Sequence, residues 1–372
     1  MRWAAALIAS LLMLFPALPV SQPEPEEAAF VKAVWVTRWA FKRQSDVEQL
    51  FESLKSLEIN RVFFQVRGAC DALYLSNYEP WSDVLTGSLG KNPGWDPLRT
   101  AIDSGHRLGI EVHAWINLFP AWQVSEDGEP PSRTIPLHIM RVQPSWLAQD
   151  ANGKTMPLRK DDAEHNYVFL SPTHSSAQEH IQKVLEDLVK RYDVDGIHLD
   201  YVRFPDSSYS YDYRSRSLYL KALCDERMSF AEWRRRNLTE FVGTLAYTAR
   251  LVRPKIEVSA AVWQIIESGR DRYFQDGIQW VRRGYVDLLV PMIYTTSAAS
   301  FEERLKAYSD SVGAENVVAG MGPYLEGFTD SLFVDQLGIA EKYGVRGISI
   351  LNSDYALQYS SVLRDFSPGL RE

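Results

Sequence analysis

Cysteine is scarce in this sequence. Only Cys70 and Cys224 occur in 372 residues, too few for a disulfide scaffold. They lie far apart in the chain, and spacing alone does not pair them. No Cys/His cluster has zinc spacing, and His106 and His113 fall across a helix-to-strand junction. There is no G-x-G-x-x-G, no P-loop and no G-x-S-x-G. No metal and no cofactor is therefore expected. Positive charge is also in deficit. The formal net charge is −8, which makes nucleic acid and anionic membrane surfaces poor partners. The longest apolar run, Ala4 to Pro19, falls short of the roughly 20 residues that span a membrane comfortably.

That run follows Met1-Arg2-Trp3 and precedes a polar, proline-rich stretch. Residues 1–22 thus read as a secretory signal or an N-terminal anchor, with 23–32 as a linker. The expectation is an exported protein, periplasmic or extracellular, touching a membrane only through this segment. Aromatic rings are abundant, with 11 Trp and 18 Tyr. Most such rings are core, but the surplus also suits a sugar cleft, where pyranose faces pack on rings.

From residue 33 onward, apolar runs alternate with helical periodicity. The expected strands are 33–39, 61–67, 111–117, 195–200, 257–263, 286–294, 316–324 and 345–354. Helices are expected over 46–57, 97–108, 175–191, 229–252, 275–284, 301–312, 331–343 and 356–365. Loops fill 68–95, 118–173 (with a short helix or hairpin) and 207–217. Regular βα alternation gives a parallel sheet with helices outside. The fold class is α/β: a (β/α)8 TIM-type barrel with enlarged βα loops, one domain over 33–372. A doubly wound sheet is the alternative, but the glycine-rich nucleotide turn is absent.

In such a barrel the carboxyl ends of the strands form the site. The fourth strand is the most telling. His198 and Asp200 alternate with Ile197 and Leu199, and Asp200 falls at the strand end before Tyr201 and Arg203. A structural Asp200–Arg203 pair is the bland alternative. The strand ends and their loops offer Arg38, Gln65, Arg67, Asp71, Trp115, Asn117, His198, Tyr201, Arg203, Trp263, Tyr294, Tyr324 and Asp354 as substrate-binding residues. The opposite ends carry Arg61, Glu111, Asp195, Glu257, Asp287 and Arg346, which cap the barrel bottom.

Acids with aromatics and few cations suggest a neutral, hydroxyl-rich ligand, an oligo- or polysaccharide. Glycoside hydrolysis needs two carboxyl groups whose pKa values are pushed apart. Asp200 is the first, as nucleophile or base, with His198 as its positioned partner. The second is open among Glu267, Glu326, Asp354, Asp71 and Glu79. Glu267 is favoured for its place after the fifth strand.

Phe64-Gln65-Val66-Arg67, Asp71-Ala72-Leu73-Tyr74, Glu79-Pro80-Trp81-Ser82, Pro93-Gly94-Trp95-Asp96-Pro97-Leu98 and His113-Ala114-Trp115-Ile116-Asn117 form an ordered set with the Arg191–Tyr201 stretch. Together these resemble the glycosyl hydrolase-like 10 family. The resemblance implies a TIM-type barrel, bacterial export and glycan hydrolysis, with peptidoglycan strands lacking stem peptides as a substrate class. Two departures stand out. Many members read Asp-Asp-Tyr at the fourth strand, where this chain has Asp200-Tyr201, and many end the sixth in Tyr-Trp-Glu, where it has Tyr294-Thr295-Thr296. The missing acid keeps a non-catalytic glycan-binding barrel as the competing expectation. A chitinase-type mechanism is disfavoured, because Val202 stands where its Glu would be. A metal-dependent hydrolase is disfavoured by the lack of a His pair.

Overall fold

Apolar residues with strand periodicity form ten strands in the computed structural model, which describes residues 29–366. The expected export segment, 1–22, lies outside the described residues. The strands are β1 (Val31–Val36), β2 (Arg61–Arg67), β3 (Glu111–Asn117), β4 (Pro120–Gln123), β5 (Tyr167–Phe169), β6 (Gly196–Asp200), β7 (Glu257–Val262), β8 (Leu288–Pro291), β9 (Val318–Met321) and β10 (Gly347–Leu351). Eight make one sheet in the order β8-β7-β6-β3-β2-β1-β10-β9, all neighbours parallel. Its edges meet through the bridges Leu289–Val317 and Met292–Gly320, and Ile293 N–H donates to Gly320 O at 3.0 Å. The result is the nearly closed eight-stranded barrel that the βα alternation predicts. β4 and β5 pair separately and antiparallel, inside the long loop after β3.

Helices wrap the outside. Pro97–Leu108 starts where Asp96 accepts the Arg99 N–H, and ends at Gly109 with φ +68°. Phe230–Val252 starts at a Ser229/Glu232 capping box. Two helices were not expected. Tyr213–Asp225 begins in the Ser/Tyr-rich loop, capped by Asp212, and Ile266–Arg272 occupies the segment after β7. Among the described residues no helix is long and apolar enough to cross a membrane. Cys70 is buried and Cys224 exposed, both as free thiols.

The barrel interior is layered. At the bottom, Arg61 pairs with Glu111 and Glu257, both at 2.6 Å, as the strand ends suggested. Above it, Phe63 stacks on His198 with centroids 4.0 Å apart. Gly196 makes room here, since a Cβ on it would lie 2.2 Å from the His113 ring. Val31, Ala33, Trp35, Trp115, Leu288, Val290 and Val318 complete the inner core. This packed floor leaves the top layer to form the site.

Candidate active site

β6 carries Asp200 to the barrel mouth beside Asn117 of β3, its register partner. Asp200 is 6% exposed. Its Oδ2 accepts the Trp115 indole N–H at 3.1 Å, and its Oδ1 accepts the Tyr201 N–H at 2.5 Å. Tyr201 takes φ +50°, a left-handed conformation that costs a residue with a Cβ. Burial pushes the Asp200 carboxyl above the ordinary range, and Arg203, the Tyr201 N–H and Trp115 partly offset it.

A cavity of about 470 Å3 opens over this carboxyl, within the usual size range for a ligand site. The structure brings eight of the expected residues to its wall: Gln65, Trp115, Asn117, Asp200, Tyr201, Arg203, Tyr294 and Tyr324. Thr37, Trp39, Tyr167, Met292, Asn352 and Tyr355 join them. Burial raises the Tyr294 phenol well above its usual value, with the Asp200 charge adding to it, and pushes Tyr201 up to about 12. The Asn117 Oδ1 is buried without a partner, while its amide donates to Gly68 O at 3.1 Å.

Other expected residues lie elsewhere. Arg67 is fully buried: the register shifts between Gln65 and Arg67, and the guanidinium goes to Glu79 and to the carbonyls of Asn117 and Leu118. It pins the 68–95 loop and is not at the cavity. His198 sits one layer below Asp200 and does not partner it. Trp35 donates its indole N–H to His198 Nε2 at 2.9 Å, so Nδ1 carries the proton toward Ser259 Oγ, also at 2.9 Å. Burial drives its pKa well below the usual value, leaving a neutral ring. Arg38 is buried over the Trp39 ring, 3.6 Å from Asp71 and bonded to Gln123. Gly68 allows this, because a Cβ there would meet the Arg38 guanidinium at 1.6 Å. Trp263 lines an adjoining cavity. Asp354 is exposed in the first turn of a helix that Asn352 caps.

Asp200 is the one carboxylate on the cavity wall among the described residues. Glu267, expected as its partner, is exposed on Ile266–Arg272 and outside the cavity, because that segment coils away from the mouth. Glu326 is exposed too, and Glu79 is locked under Arg67. Asp71 stands nearest in character: buried, with Oδ1 accepting the Gly68 and Ala69 N–H groups at 3.2 and 2.8 Å. Burial raises the Tyr167 phenol first, and the charges of Arg38, Asp71 and Asp200 reach it. Tyr167 itself was missed because β5 is only three residues long inside a loop of mixed composition. One cluster could offer three metal-ligand atoms, Glu164, His165 and Asp206, but His165 and Asp206 already bond each other at 2.9 Å.

Glycosyl hydrolase YngK of Bacillus subtilis is 24% identical over 336 residues, covering 82% of this chain and 62% of that protein. Glycosyl hydrolase DigH of Escherichia coli K12 is 29% identical over 296 residues, covering 74% and 64%. The chain thus spans somewhat under two thirds of each relative. Among solved structures, the PgaB (BpsB) glycoside hydrolase domain of Bordetella bronchiseptica superposes with a TM-score of 0.67 at 14% identity, over 92% of this chain and 100% of that one. Alpha-L-fucosidase isoenzyme 2 of Paenibacillus thiaminolyticus gives 0.63 at 14% identity, over 90% and 48%. At such identity these two likenesses are of fold. The sequence model of the glycosyl hydrolase-like 10 family matches residues 30–323, and the chain belongs to that family.

Proposed function

We propose that this chain is an exported glycoside hydrolase that cleaves a bacterial polysaccharide, with peptidoglycan glycan strands as its substrate. The observation that carries this reading is Asp200: a carboxyl pushed up by burial, on the floor of a cavity walled by aromatic rings. A raised pKa suits a proton donor to the leaving glycosidic oxygen, rather than the nucleophile or base expected from sequence. Trp115 and the Tyr201 N–H hold the carboxyl in place, and they stabilise the carboxylate left after it gives up its proton. Asp71, whose charge reaches the Tyr167 phenol although it does not line the cavity, is the carboxylate we assign to activating water. Trp39, Tyr294 and Tyr324 supply ring faces for the pyranose.

A second reading has one observation in its favour. With a single carboxylate on the wall, the barrel could hold glycan without cleaving it. Reducing-end release from stem-free peptidoglycan strands and a polysaccharide panel separates the two. Turnover by wild type, lost in Asp71→Asn and Asp200→Asn with binding retained, supports hydrolysis. Binding without turnover by wild type on every glycan would leave the binding barrel.

A further inference from the structure

The mouth cavity shares a wall with a second cavity of about 270 Å3, and Tyr167, Tyr201 and Arg203 line both. Arg203 is the cation in that wall. Its guanidinium carbon lies 4.2 Å from the Tyr201 ring centroid and 5.5 Å from that of Trp263. These ring faces are its contacts; it makes no hydrogen bond or ion pair with any described residue, and its Nη1 is buried with no partner. A guanidinium carries five N–H donors and no acceptor. A buried donor left unmet is costly, and such groups in native structures call for an explanation. Arg272 lines the second cavity as well, over the Tyr273 ring at 5.3 Å, and has no ion pair among the described residues. Trp263 and Tyr273, with centroids 4.5 Å apart, give the same cavity an aromatic wall. Asp200 feels the Arg203 charge without forming an ion pair with it; of the other acids nearby, His165 takes Asp206, which leaves Glu164 exposed at the edge.

An aromatic wall holding the unpaired Arg203 guanidinium, with the exposed Arg272 at its edge, matches a sugar that bears an anion. We propose that the second cavity is an outer subsite for a carboxylate-bearing sugar, with Arg203 as the donor that reads the carboxylate and Arg272 as a second cation. This deepens the glycan reading above and rests on it. The chain would cross the Tyr201–Arg203 wall, so its acidic unit lies one cavity away from the bond over Asp200. Two sources carry the required group: the lactyl carboxylate of a muramic acid free of its peptide, and the ring carboxylate of a uronic acid. A stem peptide converts the lactyl carboxylate to an amide. Under this reading Arg203 therefore also selects strands without peptides.

The test is isothermal titration of the full chain, carrying Asp200→Asn to prevent turnover, with three six-sugar probes. These are a peptide-free alternating N-acetylglucosamine–N-acetylmuramic acid hexamer, an N-acetylglucosamine hexamer with the same backbone, and a galacturonic acid hexamer. An acidic probe should bind about tenfold or more tighter than the neutral hexamer, and the gap should shrink as salt rises. Adding Arg203→Gln should close the gap, and Arg203→Lys should keep part of it. Which acidic probe gains identifies the source of the carboxylate. A melting temperature close to that of Asp200→Asn alone shows that each variant is folded. Equal binding of neutral and acidic probes, or a gap that survives Arg203→Gln, overturns the acidic subsite and leaves the glycan reading standing. No binding of any probe, with no turnover by wild type on any glycan, overturns the glycan reading itself.

Discussion

Replacing Glu79 with Gln should destabilise the protein by about 3 kcal/mol and leave substrate affinity nearly unchanged. Arg67 and Glu79 have 0% and 1% of their side chains exposed. Arg67 Nε and Nη2 donate to the two Glu79 oxygens at 2.8 and 2.7 Å, and Nη1 donates to Leu118 O at 2.8 Å. His180 Nε2 lies 3.1 Å from Glu79 Oε1. Burial works to raise the Glu79 pKa, yet the Arg67 charge and the His180 hydrogen bond hold it at about 2, against an ordinary 4.5. At about 1.36 kcal/mol per pH unit, that gap is on the order of 3 kcal/mol. Breaking a buried pair, which strands the other charge, costs roughly 3–5 kcal/mol. The two routes agree. Because the folded pKa is depressed, the stabilisation is present above the unfolded pKa of 4.5 and fades as pH falls toward 2. Denaturant unfolding of wild type and Glu79→Gln should therefore differ at pH 7 and converge in acid. A loss below about 1 kcal/mol, or a raised KM at unchanged stability, would refute the structural role and return Arg67 to the substrate.

Trp115→Phe removes the indole N–H from Asp200 Oδ2; it should raise the Asp200 pKa further and lower kcat about tenfold, read from pH–rate profiles. With Asp200 as proton donor, activity should fall as pH rises through its raised pKa; a profile that rises instead would make it the base. The same raised pKa means that the ionised carboxyl costs stability as pH climbs past the unfolded value, so Asp200→Asn should melt higher than wild type near neutral pH. Cys70 and Cys224 are free, so a reductant should leave the melting temperature of the 29–366 region unchanged.

The barrel was legible because burial imposes period. Strands covered on both faces read as apolar runs, and helices such as Ser175–Arg191 carried one apolar stripe. Caps fixed boundaries where their chemistry is explicit, as at Asp96 and Gly109. Half of the site was legible too, since strand ends at a barrel mouth face one cavity. The misreadings have physical causes. A register shift in β2 turned Arg67 under a loop, which period-2 counting does not foresee. His198 shares a face with Asp200 but stands one pleat lower, among Trp35, Phe63 and Ser259. Glu267 entered a helix where an open loop was expected. Tyr167 comes from a three-residue strand in a segment without periodicity and carried no signal, and Tyr355 sits in the turn between the last expected strand and helix, where the chain enters Ser353–Gln358 earlier than expected.

Reducing-end release from stem-free peptidoglycan strands by wild type and Asp200→Asn tests most directly whether Asp200 carries the chemistry. Loss of turnover by about a thousandfold or more is expected, with glycan binding intact and the melting temperature at or above that of wild type. Turnover by Asp200→Asn near the wild-type rate would contradict it.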